Sequence, residues 1–296
     1  MDNGRTKAGA SNGLGFWALV VTQFQGAFND NLYRFVIAFL MITRYAVLPD
    51  GRVQQSVAMK LTALGTILFS APFLLFPGLA GSLADRFNKR AITIATKIWE
   101  ILVMLAGLAA FLIGDPYLIF IMLFMMFTQS AFFSPAKYGI LPEILPESRL
   151  SWANGILGMT TFVAIIAGQG VAGLLFEYVR KGSIKVPSIS VLLVLLSAGG
   201  LVCAFGVPRV KAADPGKPIT VNPWSGLGRY FRFFYSDLVL WLVYLGATFF
   251  WLAGAVVQVN VLTHGLSALQ TSEFGATLLV VSGLLGMGLG SLAAGL

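Results

Sequence analysis

Residues 81–90 read GSLADRFNKR, a charged turn set between two long apolar runs at 57–83 and 91–113. An apolar run, an abrupt polar break and a second apolar run make a membrane hairpin whose turn lies at the water interface. Gly81 is small enough to let two helices approach closely, Asp85 can cap or face a helix amino terminus, and Arg86, Lys89 and Arg90 hold the turn at the inner membrane face. Read without further context, the same residues also make an ordinary positive-inside loop.

The rest of the chain fits a membrane protein. Only 11% of its 296 residues are charged and 57% are hydrophobic, against about 25% charged in soluble domains; the mean hydropathy is +0.83. Several apolar runs reach the ~20 residues that cross a hydrocarbon core, and they lack the period-two alternation of a barrel, so the fold class is all-α and polytopic. Cys203 is the sole cysteine, which rules out an intrachain disulfide. The polar start MDNGRTKAGASNG leads into a run too long and interrupted for a cleaved signal peptide, so that run is expected to stay as the first span. The net charge of +8 is not gathered into a basic block with interleaved aromatics, and orientation explains it better than nucleic acid does.

Membrane helices are expected near 14–43, 57–83, 91–113, 117–135, 152–177, 187–207, 237–262 and 273–296. With the amino terminus inside, the inner segments hold twelve basic residues, among them Arg86, Lys89, Arg90, Lys137, Arg209 and Lys217, and the outer loops hold six. This bias places the amino terminus and the 208–236 linker in the cytoplasm. The linker opens on Pro, Gly and Lys punctuation and ends in an aromatic, basic stretch from Trp224 to Tyr235, which reads either as an interfacial helix or as a solvated loop with boundary aromatics. GSLADRF at 81–87 recurs as GSLAAGL at 290–296, each closing the second helix of a six-helix unit. The expected organisation is a six-helix bundle over 1–207, a linker over 208–236, and two helices over 237–296 that begin a second, truncated bundle.

QGAFNDNLYR at 25–34 puts charge in the middle of the first span. With Gln23 at zero and 100° per residue, Asp30 falls at about 340° and Arg34 at about 20°, while Phe24, Phe28, Leu32, Phe35 and Phe39 fall between about 100° and 180°. The polar face suits a cavity, the aromatic face lipid or a neighbouring helix. Asp30 and Arg34, one turn apart, are spaced for an intrahelical ion pair. A charge at bilayer depth costs ~2.5–3.5 kcal/mol on insertion scales, so such residues face a bundle interior or a watery route. Two readings stand: a buried pair that anchors the helix, or cavity-lining groups that meet a zwitterionic or charged head group, with Gln23 and Asn31 beside them. Lys97 and Glu100 in the third span either pair with each other or extend that polar lining. Gln129 in the fourth span and Gln258 with Asn260 in the seventh are either interhelical glue or ligand contacts. GQGVAG at 168–173, with Gly155 and Gly158, favours close helix packing. His264 stands at an expected outer turn with no thiol or carboxylate cluster near it, and no metal-ligand spacing occurs, so neither an enzyme nor a cofactor or metal site is expected.

GSLADRFNKR resembles the G-x-L-A-D-R-x-G-R-K signature of the major facilitator superfamily, with Asn88 and Lys89 where Gly and Arg are usual. The resemblance implies that this turn gates the cytoplasmic opening through an Asp-centred charge relay, with Gly81, Asp85, Arg86 and Arg90 in that role. QFQGAFNDNLYR (23–34), RYAVLPDG (44–51), GSLADRFNKRAITIATKIWEI (81–101) and FFSPAKYGILPEILPESRLSWANG (132–155) together resemble the bacterial lysophospholipid transporter family, a branch of that superfamily. Pro135, Pro142 and Pro146 are expected to break the fourth helix into a rigid turn where Lys137 and Glu143 make charge contacts. The resemblance implies an inner-membrane transporter that moves lysophospholipids by alternating access, and a functional link to an acyltransferase/acyl-ACP synthetase, to which such transporters are fused in some bacteria. The alternatives are a facilitator or efflux protein for another solute, or the membrane portion of the fused enzyme.

Overall fold

Helices dominate the computed structural model, which describes residues 3–52, 54–220, 222, 227–267 and 273–295. In chain order they are α1 (Asn3–Tyr45), α2 (Gln55–Leu75), α3 (Pro77–Arg86), α4 (Lys89–Ile113), α5 (Pro116–Gly139), the short α6 (Leu141–Ile144), α7 (Leu150–Arg180), α8 (Val186–Ala204), α9 (Leu227–Ser236), α10 (Leu238–Ser267) and α11 (Glu273–Gly295). The side chains of Gln258, Asn260 and His264 on α10 lie outside the described residues.

Local chemistry explains the boundaries. α4 starts at Asn88, whose side chain accepts a hydrogen bond from the Arg90 amide at 2.9 Å, so Asn88, not Asp85, caps this helix. It ends at Gly114, which takes the left-handed φ of 75°. The next residue, Asp115, caps α5 by accepting from the amides of Tyr117 at 2.7 Å and Leu118 at 3.1 Å, with Pro116 at the first helical position. The Arg44 guanidinium at the end of α1 donates to the Gly114 carbonyl at 2.7 Å and ties that corner to the α4–α5 turn. In the loop beyond α1, a hydrogen bond from Arg52 holds the exposed Asp50 carboxyl below its usual pKa.

Two expected boundaries are corrected. The span at 57–83 is two helices, because Pro77 lacks an amide proton to continue α2 and instead opens α3 after Phe76. Pro135 does not break the fourth span; it lies inside α5, which runs on to Gly139, and the turn forms at Pro142 and Pro146.

Among the described residues, Gln55–Leu75, Lys89–Ile113, Pro116–Ile144, Glu147–Arg180 and Val186–Ala204 are long and apolar enough to cross a membrane. α1 is longer than any of them, but the polar cluster at 29–34 lowers its hydropathy. The all-helical architecture and these apolar spans are those of a multi-pass membrane protein.

The chain divides into two units. In the first, covering 1–223 and 291–296, α1 packs on α7 and α8, and α4 packs on α5 and α8. Its interior has three levels. One apolar core joins Leu32, Val36 and Met41 of α1 to Met104 of α4, Leu123 and Met126 of α5 and Leu193 of α8. A second joins Phe16, Leu19 and Val20 of α1 to Phe133 of α5, Leu141 and Ile144 of α6, and Ile156 and Leu157 of α7. Between them lies a buried polar layer on four helices: Gln23 and Asn29 on α1, Lys97 and Glu100 on α4, Gln129 on α5 and Ser197 on α8. The second unit, 224–290, has an aromatic join between α9 and α10 in which Tyr244 stacks with Phe234 and with Trp241.

Candidate functional site

The centre of the polar layer is the Glu100 carboxylate. Lys97 Nζ donates to its Oε2 at 2.7 Å, and both side chains are wholly buried. Gln129 Nε2 donates to the same oxygen at 3.2 Å. The other oxygen, Oε1, accepts from Gln25 Nε2 at 2.9 Å, Asn29 Nδ2 at 3.0 Å and Ser197 Oγ at 2.9 Å. Lys97 donates also to Gln25 Oε1 at 2.8 Å. Two opposite charges thus leave water with nearly every lone pair and proton engaged, the condition under which a buried pair is tolerated. Glycines make the space: a Cβ on Gly26 would stand 2.8 Å from the Lys97 ammonium, and one on Gly200 would overlap the Gln25 amide.

Lys97 and Glu100 pair with each other, and both bond to α1, through Gln25 and Asn29. Lys97, Glu100 and Gln129 are buried among α1, α4, α5 and α8, where the network joins the helices. Gln25, Asn29 and Ser197 complete it; Gln25 and Ser197 were not singled out from the sequence. Gln25 and Asn29 share a helical face at i, i+4, and Ser190 and Ser197 share one on α8 at i, i+7; both pairings are legible polar stripes in apolar helices.

The residues of the NDNLYR cluster diverge. Asp30 turns to α5, where Ser130 Oγ stands 2.6 Å from its Oδ2 and 3.1 Å from Gln129 Oε1. A hydroxyl has one proton to give, and the nearer, charged oxygen takes it. Asp30 Oδ1 is buried without a hydrogen-bond partner. Arg34 turns to α2: it donates to Thr66 Oγ1 at 3.4 Å and lies over the Phe69 ring, 4.7 Å from its centroid. The expected ion pair between Asp30 and Arg34 is absent; each takes a partner on a different helix. Gln23 faces α7, donating to Thr160 Oγ1 at 2.9 Å and accepting from Thr161 Oγ1 at 3.1 Å and Lys137 Nζ at 3.4 Å. Asn31 donates back to the Ala27 carbonyl at 2.8 Å. Its Cβ borders Gly168, where α1 and α7 come so close that an added Cβ would lie 2.6 Å from the Phe28 carbonyl oxygen.

At the 81–90 turn the charges are engaged differently from the relay that the resemblance implies. Asp85 pairs with Lys217 of the linker at 2.5 Å, and its carbonyl accepts from the Asp214 amide at 2.9 Å. Arg86 reaches the Lys217 carbonyl at 3.4 Å, and Arg90 donates to the Phe205 carbonyl at the end of α8 at 2.6 Å. Gly81 is not a point of close approach, since a Cβ there would meet nothing within 4 Å. Glu143 bonds with Lys89 rather than with Lys137.

A groove bordered by α1, α2 and α5 runs beside Arg34. A small pocket at Arg34 and Thr62 shares Met41, Leu61 and Phe120 with a larger apolar cavity of about 650 Å³ that extends to Tyr45 and Tyr117. That size lies in the range of about 300–1,000 Å³ usual for small-molecule sites.

The comparisons with known proteins agree with this architecture. Over 248 residues the chain is 31% identical to a protein named lysophospholipid transporter LplT from Pectobacterium carotovorum subsp. carotovorum, covering 81% of this chain and 54% of that one. A protein of the same name from Salmonella arizonae is 29% identical over 252 residues, covering 82% of this chain and 56% of that one. The chain therefore spans about half the length of these relatives. The family model described as Major Facilitator Superfamily matches residues 13–296, and the chain belongs to that superfamily.

Proposed function

We propose that the protein moves lysophospholipids across a bacterial inner membrane by alternating access, with the amino terminus and the Asp85 turn facing the cytoplasm. The observation that carries this reading is the divergence of Asp30 and Arg34. Two opposite charges one turn apart in a membrane helix do not neutralise each other: Asp30 keeps a buried oxygen without a partner, and Arg34 meets the Thr66 hydroxyl and the Phe69 and Phe35 rings, with no carboxylate among the described residues. Each is left with capacity for a charged group of opposite sign, and a zwitterionic head group supplies both. The apolar groove beside Arg34 supplies the surroundings that a fatty chain needs. Gln23 and Asn31 flank this region of α1, and the buried Lys97, Glu100 and Gln129 hold the helices around it in place.

Similarity to two proteins named lysophospholipid transporter supports the substrate class. The excess of Lys and Arg at the Asp85 end supports the orientation. Transport toward the cytoplasm delivers lysophospholipid to an acyltransferase/acyl-ACP synthetase, the partner enzyme of this reading. Gly81, Asp85, Arg86 and Arg90 form the cytoplasmic gate, with the Asp85–Lys217 pair as the contact that breaks when it opens.

Reconstitution in liposomes tests the proposal. The protein is expected to carry lysophosphatidylethanolamine from one leaflet to the other. Transport of a water-soluble solute that excess lysolipid does not inhibit would replace this reading with that of a facilitator for another substrate.

A further inference from the structure

After the linker, LGRYFRFFYS forms the ten-residue helix α9, Leu227–Ser236. Five of these residues are aromatic, two are arginine and none is acidic. A helix this short is marginal in water by itself, so it needs a surface to lie on. With Phe231 at zero and 100° per residue, Leu227, Phe231, Phe234 and Tyr235 fall between about 300° and about 40°, whereas Arg229, Arg232 and Ser236 fall between about 100° and about 160°. α10 covers only part of the aromatic face. The Phe231 and Phe234 rings meet Tyr244 at 6.3 Å and 5.4 Å, and Tyr235 meets Trp241 at 5.6 Å, yet Phe231 and Tyr235 remain exposed at 47% and 74%. Phe233, at the edge of the arginine face, is exposed at 59%. Arg232 is exposed and has no ion pair among the described residues. The nearest acid in sequence, Asp237, is engaged by α10, where its Oδ1 accepts from the amides of Val239 at 2.8 Å and Leu240 at 3.3 Å. Asp237 alone separates α9 from α10, and α10 opens with the apolar run Leu238–Gly254. α9 is therefore held where a membrane helix begins, at the boundary of water and lipid, with the Trp241 and Tyr244 rings at the same level.

We infer that α9 lies along the membrane surface and docks onto anionic phospholipid, with its aromatic face in the lipid and its arginine face at the lipid phosphates. The rings are of the kind that settle at head-group depth, and a short basic helix with one apolar face is built to lie in the interface plane. A guanidinium presents a fork of N–H donors that fits phosphate oxygens. Every phospholipid has a phosphate, so the charge balance sets the preference. Two arginines with no acid beside them favour a lipid whose phosphate charge is not offset by its own amine. The aromatic join to α10 and the single residue between the two helices keep α9 at that surface whatever solute the bundle carries, so this docking is independent of the lysolipid reading.

The test places the whole chain in vesicles of phosphatidylcholine alone and in vesicles of an equimolar mixture of phosphatidylcholine and phosphatidylglycerol, and follows amide hydrogen exchange. Exchange over 227–236 is expected to be about tenfold or more slower in the anionic vesicles, and high salt restores it. A basic residue at an anionic surface contributes about fivefold. Arg232→Gln therefore speeds exchange about fivefold in the anionic vesicles only. Arg229→Gln combined with Arg232→Gln removes the difference between the two vesicles, whereas Arg232→Lys, which keeps the charge, preserves most of it. Unchanged exchange in α4 shows that each variant is folded. Equal exchange over 227–236 in the two vesicles leaves the face to solvent or to a protein partner and overturns the inference. Slowing that the double variant retains, or that grows with protein concentration at fixed lipid and so reports a second copy, overturns it as well.

Discussion

Asp30 shows how one side chain's surroundings differ from what its neighbours in sequence suggest. Arg34 is one helical turn away, yet the carboxylate takes its bond from Ser130 on α5. A hydrogen bond to a charged group contributes about 1.5–3 kcal/mol, which corresponds to roughly tenfold or more in an equilibrium. If that bond aims the carboxylate, Ser130→Ala lowers lysolipid transport by about tenfold while Ser130→Thr, which keeps the hydroxyl, restores most of it; initial uptake rates in liposomes measure both. Asp30→Asn and Arg34→Gln each impair transport with membrane insertion intact, as judged by protein recovered in the membrane fraction. Unchanged uptake in both variants would leave these residues a packing role alone.

The helices are joined at two kinds of contact with different sensitivities. At the polar layer, Lys97 and Glu100 on α4 are bonded to α1, α5 and α8 through Gln25, Asn29, Gln129 and Ser197. Removing one member leaves the other charge buried and unpaired, which costs about 3–5 kcal/mol. Glu100→Gln or Lys97→Met therefore lowers the thermal unfolding midpoint in detergent sharply, and the double variant Lys97→Met with Glu100→Met is more stable than the two single losses added together. The α1–α7 contact is one of close backbone approach. Gly168→Val pushes against the Phe28 carbonyl and costs about 1–3 kcal/mol, whereas Gly170→Ala, where a Cβ meets nothing within 4 Å, stays within about 0.5 kcal/mol. The comparison separates glycines that permit an approach from glycines that merely occur. From sequence alone the two look the same, because both lie in one GQGVAG run.

For the molecule as a whole, the linker is a strap tied across the 81–90 turn. Lys217 pairs with Asp85, Asp214 bonds to the Asp85 carbonyl, and Thr220 donates to Ser82 Oγ at 3.3 Å. Asp85→Ala is expected to speed amide hydrogen exchange over 208–222 without changing exchange in α4 or α5. Because this pair is partly exposed, raising the salt concentration moves the wild type in the same direction. Legibility in the sequence divides along physical lines. The apolar runs, their lengths, the charged turn at 81–90 and the resemblance carried by it determined an all-helical membrane protein of the major facilitator type, since the transfer of a side chain into lipid and the internal satisfaction of its backbone depend on local sequence. The break at Pro77 was equally local and could have been read. Which partner each polar residue takes was decided by the tertiary structure. Gln23, Asp30 and Arg34 share one face of α1, yet they meet α7, α5 and α2 because three different neighbours border that face. The rotation of a helix about its axis, and the height at which its neighbours cross it, come from packing among all of them together, and no single helix contains that information.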